Sequence, residues 1–322
     1  MTRPPSNERT TGRNVGHRLD RRHFLITLVG VPALAAVLAA CGDPDVAPGD
    51  TAPGTAPPTS VSGDTIGTTG MIEHPTGAED VVLRVGYANG FVPQTVAFQH
   101  VPNLLVAGDL RVFQPAAQTA IYPGPLLPAI TVATITEAGL QRLLGLAATG
   151  GLLTEPVPSY DVPMTVADAP DTVVDLHTAA GTFHHQAYAL GITGGADENG
   201  TQPPEATPAR QHLQAFVAAT GDLATTVGAG TLGKQHVFAA DRFRLRAIVT
   251  DPAGFDGADV KPTVSPWPAD TGLRLADAAD CLIASGPAIT ALLTAANVLS
   301  LFTEGGIAYQ LAAAPVLPGD AC

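Results

Sequence analysis

Three stretches of this chain hold residue types that bind metals, phosphates or acyl groups. His177, His184 and His185 fall on two β-branched runs, Thr172 to Thr178 and Thr182 to Leu190, joined by Ala179-Ala180-Gly181. Neutral imidazoles ligate Zn²⁺ or Cu²⁺. Successive strand residues point to opposite faces, so only one of His184 and His185 can join His177. Asp175 lies two residues before His177 on the same face, and Asp175, His177 and His185 are the candidate metal ligands. Solvated or hydrogen-bonded sheet histidines are the better reading. No H-E-x-x-H motif is present.

Gly228-Ala229-Gly230-Thr231-Leu232-Gly233-Lys234 fits both G-x-G-x-x-G and G-x-x-x-x-G-K. Those motifs cradle phosphate where a strand feeds a glycine loop that opens a helix. Here a helix precedes and a strand follows, and Gln235 stands where Ser or Thr would hold Mg²⁺. A helix-to-strand connector is the better reading. Asp251, Asp256 and Asp259, like Asp197-Glu198-Asn199-Gly200, are oxygen-rich enough for Ca²⁺. Their spacing is not that of an EF-hand, and Asp-Pro and Asp-Gly are ordinary turn formers. Ser285 lacks the first glycine of G-x-S-x-G and is better placed to cap a helix. No carboxylate pair has the pattern expected for glycoside cleavage. Trp267, between Pro266 and Pro268, is a braced ring suited to a binding platform or to anchoring a loop.

Cysteine chemistry is better specified. A basic start carrying Arg3, Arg9, Arg13, Arg18, Arg21 and Arg22 precedes an apolar run from Leu25 to Ala40. A charged start, a short apolar core and small residues at its end form an export signal. The run contains Pro32 and is shorter than the ~20 residues a spanning helix needs. Arg21-Arg22 followed by Phe24-Leu25 looks like a twin-arginine motif, with the general secretory route as the alternative. Leu38-Ala39-Ala40-Cys41 resembles a lipobox, so Cys41 is expected to carry diacylglyceryl and palmitate-type chains. Cys281 and Cys322 remain, an even pair that reads as a disulfide outside the cytoplasm.

Composition narrows the partners. The chain has 322 residues, with 16 Lys and Arg against 29 Asp and Glu. Loss of residues 1–40 removes six arginines and two acidic residues, leaving 10 basic against 27 acidic, a net of −17. Nucleic acid binding needs clustered cations, which this chain lacks. Membrane contact must then come through lipid on Cys41. No cofactor is expected.

These residues are positioned by an alternation of hairpins and helices. Residues 41–70 are rich in Pro, Gly, Thr and Ser and read as a disordered tether. The globular part, 71–322, opens with a strand from Val81 to Tyr87 and a turn at Asn89-Gly90. A hairpin over Leu104 to Phe113 turns at Gly108-Asp109, with glycine expected to supply a type II′ geometry. Three helices are predicted. Thr136 caps the first, which buries Leu140, Leu143, Leu144 and Ala147; Thr207 and Pro208 open the second; Gly286-Pro287 opens the third. Val237 to Val249 reads as one strand, and Leu301 to Thr303 pairs with Ile307 to Leu311. Hairpins between helices predict an α+β fold, antiparallel sheet with about three packed helices.

The chain resembles a family of actinobacterial surface lipoproteins with twin-arginine and lipobox signals. The likeness rests on the Cys41 lipobox and tether, on His74-Pro75-Thr76-Gly77-Ala78-Glu79-Asp80-Val81-Val82-Leu83-Arg84-Val85, on Val166-Ala167-Asp168-Ala169-Pro170-Asp171-Thr172-Val173-Val174, and on Pro315-Val316-Leu317-Pro318-Gly319-Asp320-Ala321-Cys322. It implies an address and a single fold and carries no active site. The expectation is therefore a lipid-anchored protein on the outer face of the cell membrane that binds or scaffolds an envelope protein or glycan. The balance is against an enzyme. An envelope hydrolase or metal-dependent enzyme is the first alternative, and a solute-binding lipoprotein of a transporter the second.

Overall fold

Alternating apolar residues build a first sheet that is antiparallel throughout. The computed structural model describes residues 70–162, 166–192, 207–255 and 259–322. Arg21, Arg22, Cys41, the tether up to residue 69, the segment Asp197-Glu198-Asn199-Gly200 and Asp256 lie outside the described residues. Strand β1 (Val81–Ala88) buries Leu83 and Val85 on one face, and a register shift near its start buries Val82 as well. Asn89 and Gly90 both take positive φ, 57° and 81°, so the predicted turn forms. No partner strand follows it. The chain enters α1 (Gln94–Phe98), a five-residue helix with no buried residue.

The hairpin of β2 (Leu104–Ala107) and β3 (Arg111–Pro115) forms as expected, with a different turn. Leu110 N donates to Ala107 O at 3.0 Å and Leu110 itself takes φ 69°. This is a type I turn closed by a left-handed residue, not a type II′ turn. Gly108 is required by space: a Cβ there would lie 2.6 Å from the Gly77 carbonyl oxygen.

Strand β4 (Ile130–Thr134), which the sequence reading missed, leads into α2 (Glu137–Thr149). Thr136 caps α2 by accepting from Gly139 N at 3.2 Å, and Leu140, Leu143, Leu144 and Ala147 form its buried stripe. Strands β5 (Asp171–Thr178) and β6 (Gly181–Tyr188) pair residue for residue. Thr207 caps α3 (Pro208–Gly221), and a short α4 (Leu223–Val227) follows. Helices α2, α3 and α4 cover one face of this sheet around a core that includes Leu143, Phe183 and Phe216. With β7 (His236–Val237), the strand order is β6-β5-β1-β2-β3-β4-β7.

The expected single strand from Val237 to Val249 is two. β7 finishes the first sheet, and β8 (Arg242–Val249) belongs to a second. Both pieces have β character, so periodicity alone does not reveal the crossing between sheets. The second sheet adds β9 (Thr263–Pro266), β10 (Leu282–Ser285), β11 (Ser300–Glu304) and β12 (Ile307–Pro315), in the order β10-β8-β12-β11-β9. Among the described strands only β9 and β11 run parallel. Helix α5 (Pro287–Ala295) buries Ile289 and Leu293 against this sheet's core. The protein is α+β, with two largely antiparallel sheets and three helices of nine residues or more among the described residues.

A third apolar cluster, with Phe113, Ile130 and Leu317, lies on the face of the first sheet opposite its helices. Phe113 and Phe238 meet edge to face there at 5.1 Å. Cys281, just before β10, is disulfide-bonded to Cys322 across 41 residues, as the cysteine count predicts. No helix among the described residues is long and apolar enough to cross a membrane.

Candidate functional site

The histidine hairpin does not bring Asp175, His177 and His185, the candidate metal ligands, together. Val174 and Leu176 face the helices, so Asp175 and His177, at the alternate positions, face away. On β6 the inward set is Phe183, His185 and Ala187. His185 is therefore on the opposite side of the sheet from Asp175 and His177, and it is His184 that joins them. His184 Nδ1 lies 2.6 Å from Asp175 Oδ1, and His177 Nδ1 lies 3.4 Å from Thr182 Oγ1. Among the described residues no three His, Cys, Asp or Glu side chains come together to hold a metal ion. The signal that would have placed His185 was its i, i+2 spacing to the apolar Phe183 and Ala187.

His185 is fully buried and both its ring nitrogens are occupied. Its Nε2 lies 2.9 Å from the Leu152 carbonyl oxygen, which only accepts, so Nε2 carries the proton. Nδ1 then accepts from the Tyr160 hydroxyl at 2.7 Å. Burial pulls the His185 pKa below its ordinary value and pushes the Tyr160 hydroxyl up to about 12. Arg210, also buried, closes the cluster by donating to the carbonyls of Tyr160, Tyr188 and Ala189. This polar group ties helix α3 to the sheet; it offers no open ligand position.

The glycine-rich loop has the predicted order, with α4 before it and β7 after it. Its backbone is spent internally: Thr136 N donates to Thr231 O at 2.8 Å and Gly233 N to Thr134 O at 2.7 Å. Asp251 closes its own turn by accepting from Ala253 N at 2.9 Å. Ser285 does not cap α5. It is the last residue of β10, and the N-cap is Gly286 at φ 109° with no side-chain cap. Trp267 anchors a loop, donating from Nε1 to Leu273 O at 2.8 Å and packing edge to face on Phe302.

The site that sequence reasoning missed is a cleft of about 450 Å³ where the helix-free face of the first sheet meets the second. Arg84 reaches it from β1, between the inward-facing Leu83 and Val85. Arg244 reaches it from β8, between Phe243 and Leu245 of the second core. Asp320 comes from the segment after β12, where Leu317 is buried and Cys322 is bonded to Cys281. Its carboxylate accepts from Arg84 Nη2 at 2.6 Å and lies 3.5 Å from Arg244 Nε. One carboxylate thus serves two guanidinium groups, and Nε of both arginines is buried without a hydrogen bond. An unpaired buried N–H costs on the order of 1–3 kcal/mol.

Apart from Asp175, the rest of the wall is apolar or neutral. Arg244 stacks over Phe98 of α1 at 5.6 Å from the ring centroid, and Tyr87, Val173 and Pro315 add to the lining. His100 Nε2 accepts from Tyr87 N at 3.3 Å. Burial first, then the nearby Arg84, hold the His100 pKa below its ordinary value, so the ring is neutral at neutral pH. Asp175 also lines the cleft, engaged with His184. A second hollow of about 330 Å³ shares Arg84 and Asp175 with the first and runs past His177 and Gly319. The arrangement sets two arginines, each with a buried Nε–H that makes no hydrogen bond, beside the carboxylates of Asp320 and Asp175, and the unfilled guanidinium donors suit an anion. Comparison of the chain with protein-family models, with curated proteins and with solved structures finds no match.

Proposed function

We propose that this chain is a lipid-anchored binding protein of the cell envelope. In this reading the Arg21-Arg22 signal exports it, acyl chains on Cys41 hold it to the outer face of the membrane, and the tether of residues 41–70 presents the globular part to its ligand. The supporting observation is the Arg84–Arg244 cleft, whose volume falls in the ~300–1,000 Å³ range of small-molecule sites. A solute-binding lipoprotein that hands its ligand to a transporter uses the same cleft and differs only in the partner.

Fractionation of cells carrying the full-length chain or Cys41→Ala tests the anchor. The unaltered chain is expected in the membrane fraction with incorporated fatty acid, and Cys41→Ala in the soluble envelope fraction. Equal retention of both in the membrane would remove the proposal, as would recovery of the chain from cytosol with residues 1–40 uncut.

A further inference from the structure

We propose that the cleft between Arg84 and Arg244 takes a small organic oxyanion, with a carboxylate or phosphoryl head on the two guanidinium groups and an apolar body against Phe98, Val173 and Pro315. The inference rests on the reading of this cleft as a ligand site and adds the chemistry of the ligand.

The guanidinium donors come first. Among the described residues Arg84 makes one side-chain hydrogen bond, through Nη2 to Asp320, and Arg244 makes none. Each guanidinium has five N–H donors in a planar fork that matches an oxyanion. Most of those donors are therefore without a protein partner. Asp320 cancels one of the two positive charges. Asp175, hydrogen-bonded to His184, is the other carboxylate of the lining, so recognition of an anion rests on the unfilled guanidinium N–H donors and not on a surplus of charge. The eight arginines and two lysines beyond residue 40 face 27 acidic residues, which makes two converging arginines a departure from the surface at large.

Shape and desolvation come second. The Arg84 and Arg244 side chains are 31 % and 21 % exposed, reachable yet partly shielded from water. A charge-assisted hydrogen bond gains strength in such surroundings. The lining beyond them includes Val101, Val173, Ala314 and Pro315, with no further cation. A bare inorganic anion would leave that wall unused. An acid with a ring or short chain attached would cover it.

Calorimetric titration of the full-length chain in non-ionic detergent tests this. The probes are 4-phenylbutanoate, 3-phenylpropylphosphonate, neutral 4-phenylbutanamide and inorganic phosphate. One or both organic anions are expected to bind in the millimolar range or tighter, with the amide and inorganic phosphate about tenfold weaker or more. Arg84→Gln and Arg244→Gln should each weaken the anion about tenfold or more and leave the amide unchanged. Where either variant fails to fold, the unaltered chain still decides: added salt must weaken the acid and not the amide. Equal binding of acid and amide overturns the proposal. So does inorganic phosphate matching the phosphonate, absence of binding by every probe at about 10 mM, or uptake of the chain by phosphatidylglycerol vesicles in place of the soluble acids. Arginine-dependent binding by a Cys41→Ala chain keeps this inference whatever the fractionation shows. An anchored chain that ignores every anion sinks the inference alone.

Discussion

Arg84 and Asp320 are 236 residues apart in sequence, yet Arg84 Nη2 donates to Asp320 Oδ1 at 2.6 Å. The carboxylate is only 6 % exposed and also accepts from Leu317 N at 3.1 Å. Its position is fixed by the segment that ends two residues later at the disulfide-bonded Cys322. The last residues of the chain thus form one wall of the cleft, and several measurable consequences follow from how that wall and the core beneath it are built.

Removing the cross-link should cost stability without preventing folding. A twin-arginine substrate crosses already folded, so in the proposed route the core forms before the disulfide. For a loop of 41 residues, chain entropy gives about 3–4 kcal/mol. Cys281→Ser/Cys322→Ser is expected to unfold cooperatively at a lower melting temperature. Failure of this variant to fold at all would count against a core that is self-sufficient.

Stability should fall as the pH drops below about 6.5. His185 and His100 both have folded pKa values below the ordinary 6.5, in each case chiefly because they are buried. The unfolded chain then binds more protons than the folded one at acidic pH, so stability rises with pH through that window and is lost as pH falls. For His185, Leu152 O, Asp175 and Glu155 pull upward and His184 adds to the lowering, without reversing it. Melting temperature against pH should show the decline, and His185→Gln should flatten it. A steeper acid decline in His185→Gln would contradict the assignment of a neutral buried ring.

Arg210→Met should destabilise strongly. The substitution keeps an apolar stem on α3 and strands the carbonyls of Tyr160, Tyr188 and Ala189. Buried unsatisfied acceptors make a loss of about 3 kcal/mol the expected result in denaturant titration. A variant within about 0.5 kcal/mol of the parent would show that water replaces the guanidinium there without cost.

Leu143→Ala should cost about 2–5 kcal/mol, since Leu143 is fully buried where α2 meets the first sheet and α4. Leu146, on the same helix and 38 % exposed, gives the contrast: Leu146→Ala should change stability by about 0.5 kcal/mol or less in the same titration.

Local patterns carried much of the fold. The caps at Thr136 and Thr207, the stripe of Leu140, Leu143, Leu144 and Ala147, the hairpins at 104–115, 171–188 and 300–315, and the Cys281–Cys322 pair are all legible because each depends on residues a few positions apart or on a count. The address proposed from Arg21, Arg22 and Cys41 rests on the sequence alone. Tertiary structure decided which face of a strand is inside, and that choice buried His185 and left His184 beside Asp175. It also divided 236–249 between two sheets. The cleft belongs wholly to that second kind of information. Arg84, Arg244 and Asp320 share no motif or spacing, and they meet because two sheets and a cross-linked tail bring distant segments of chain together.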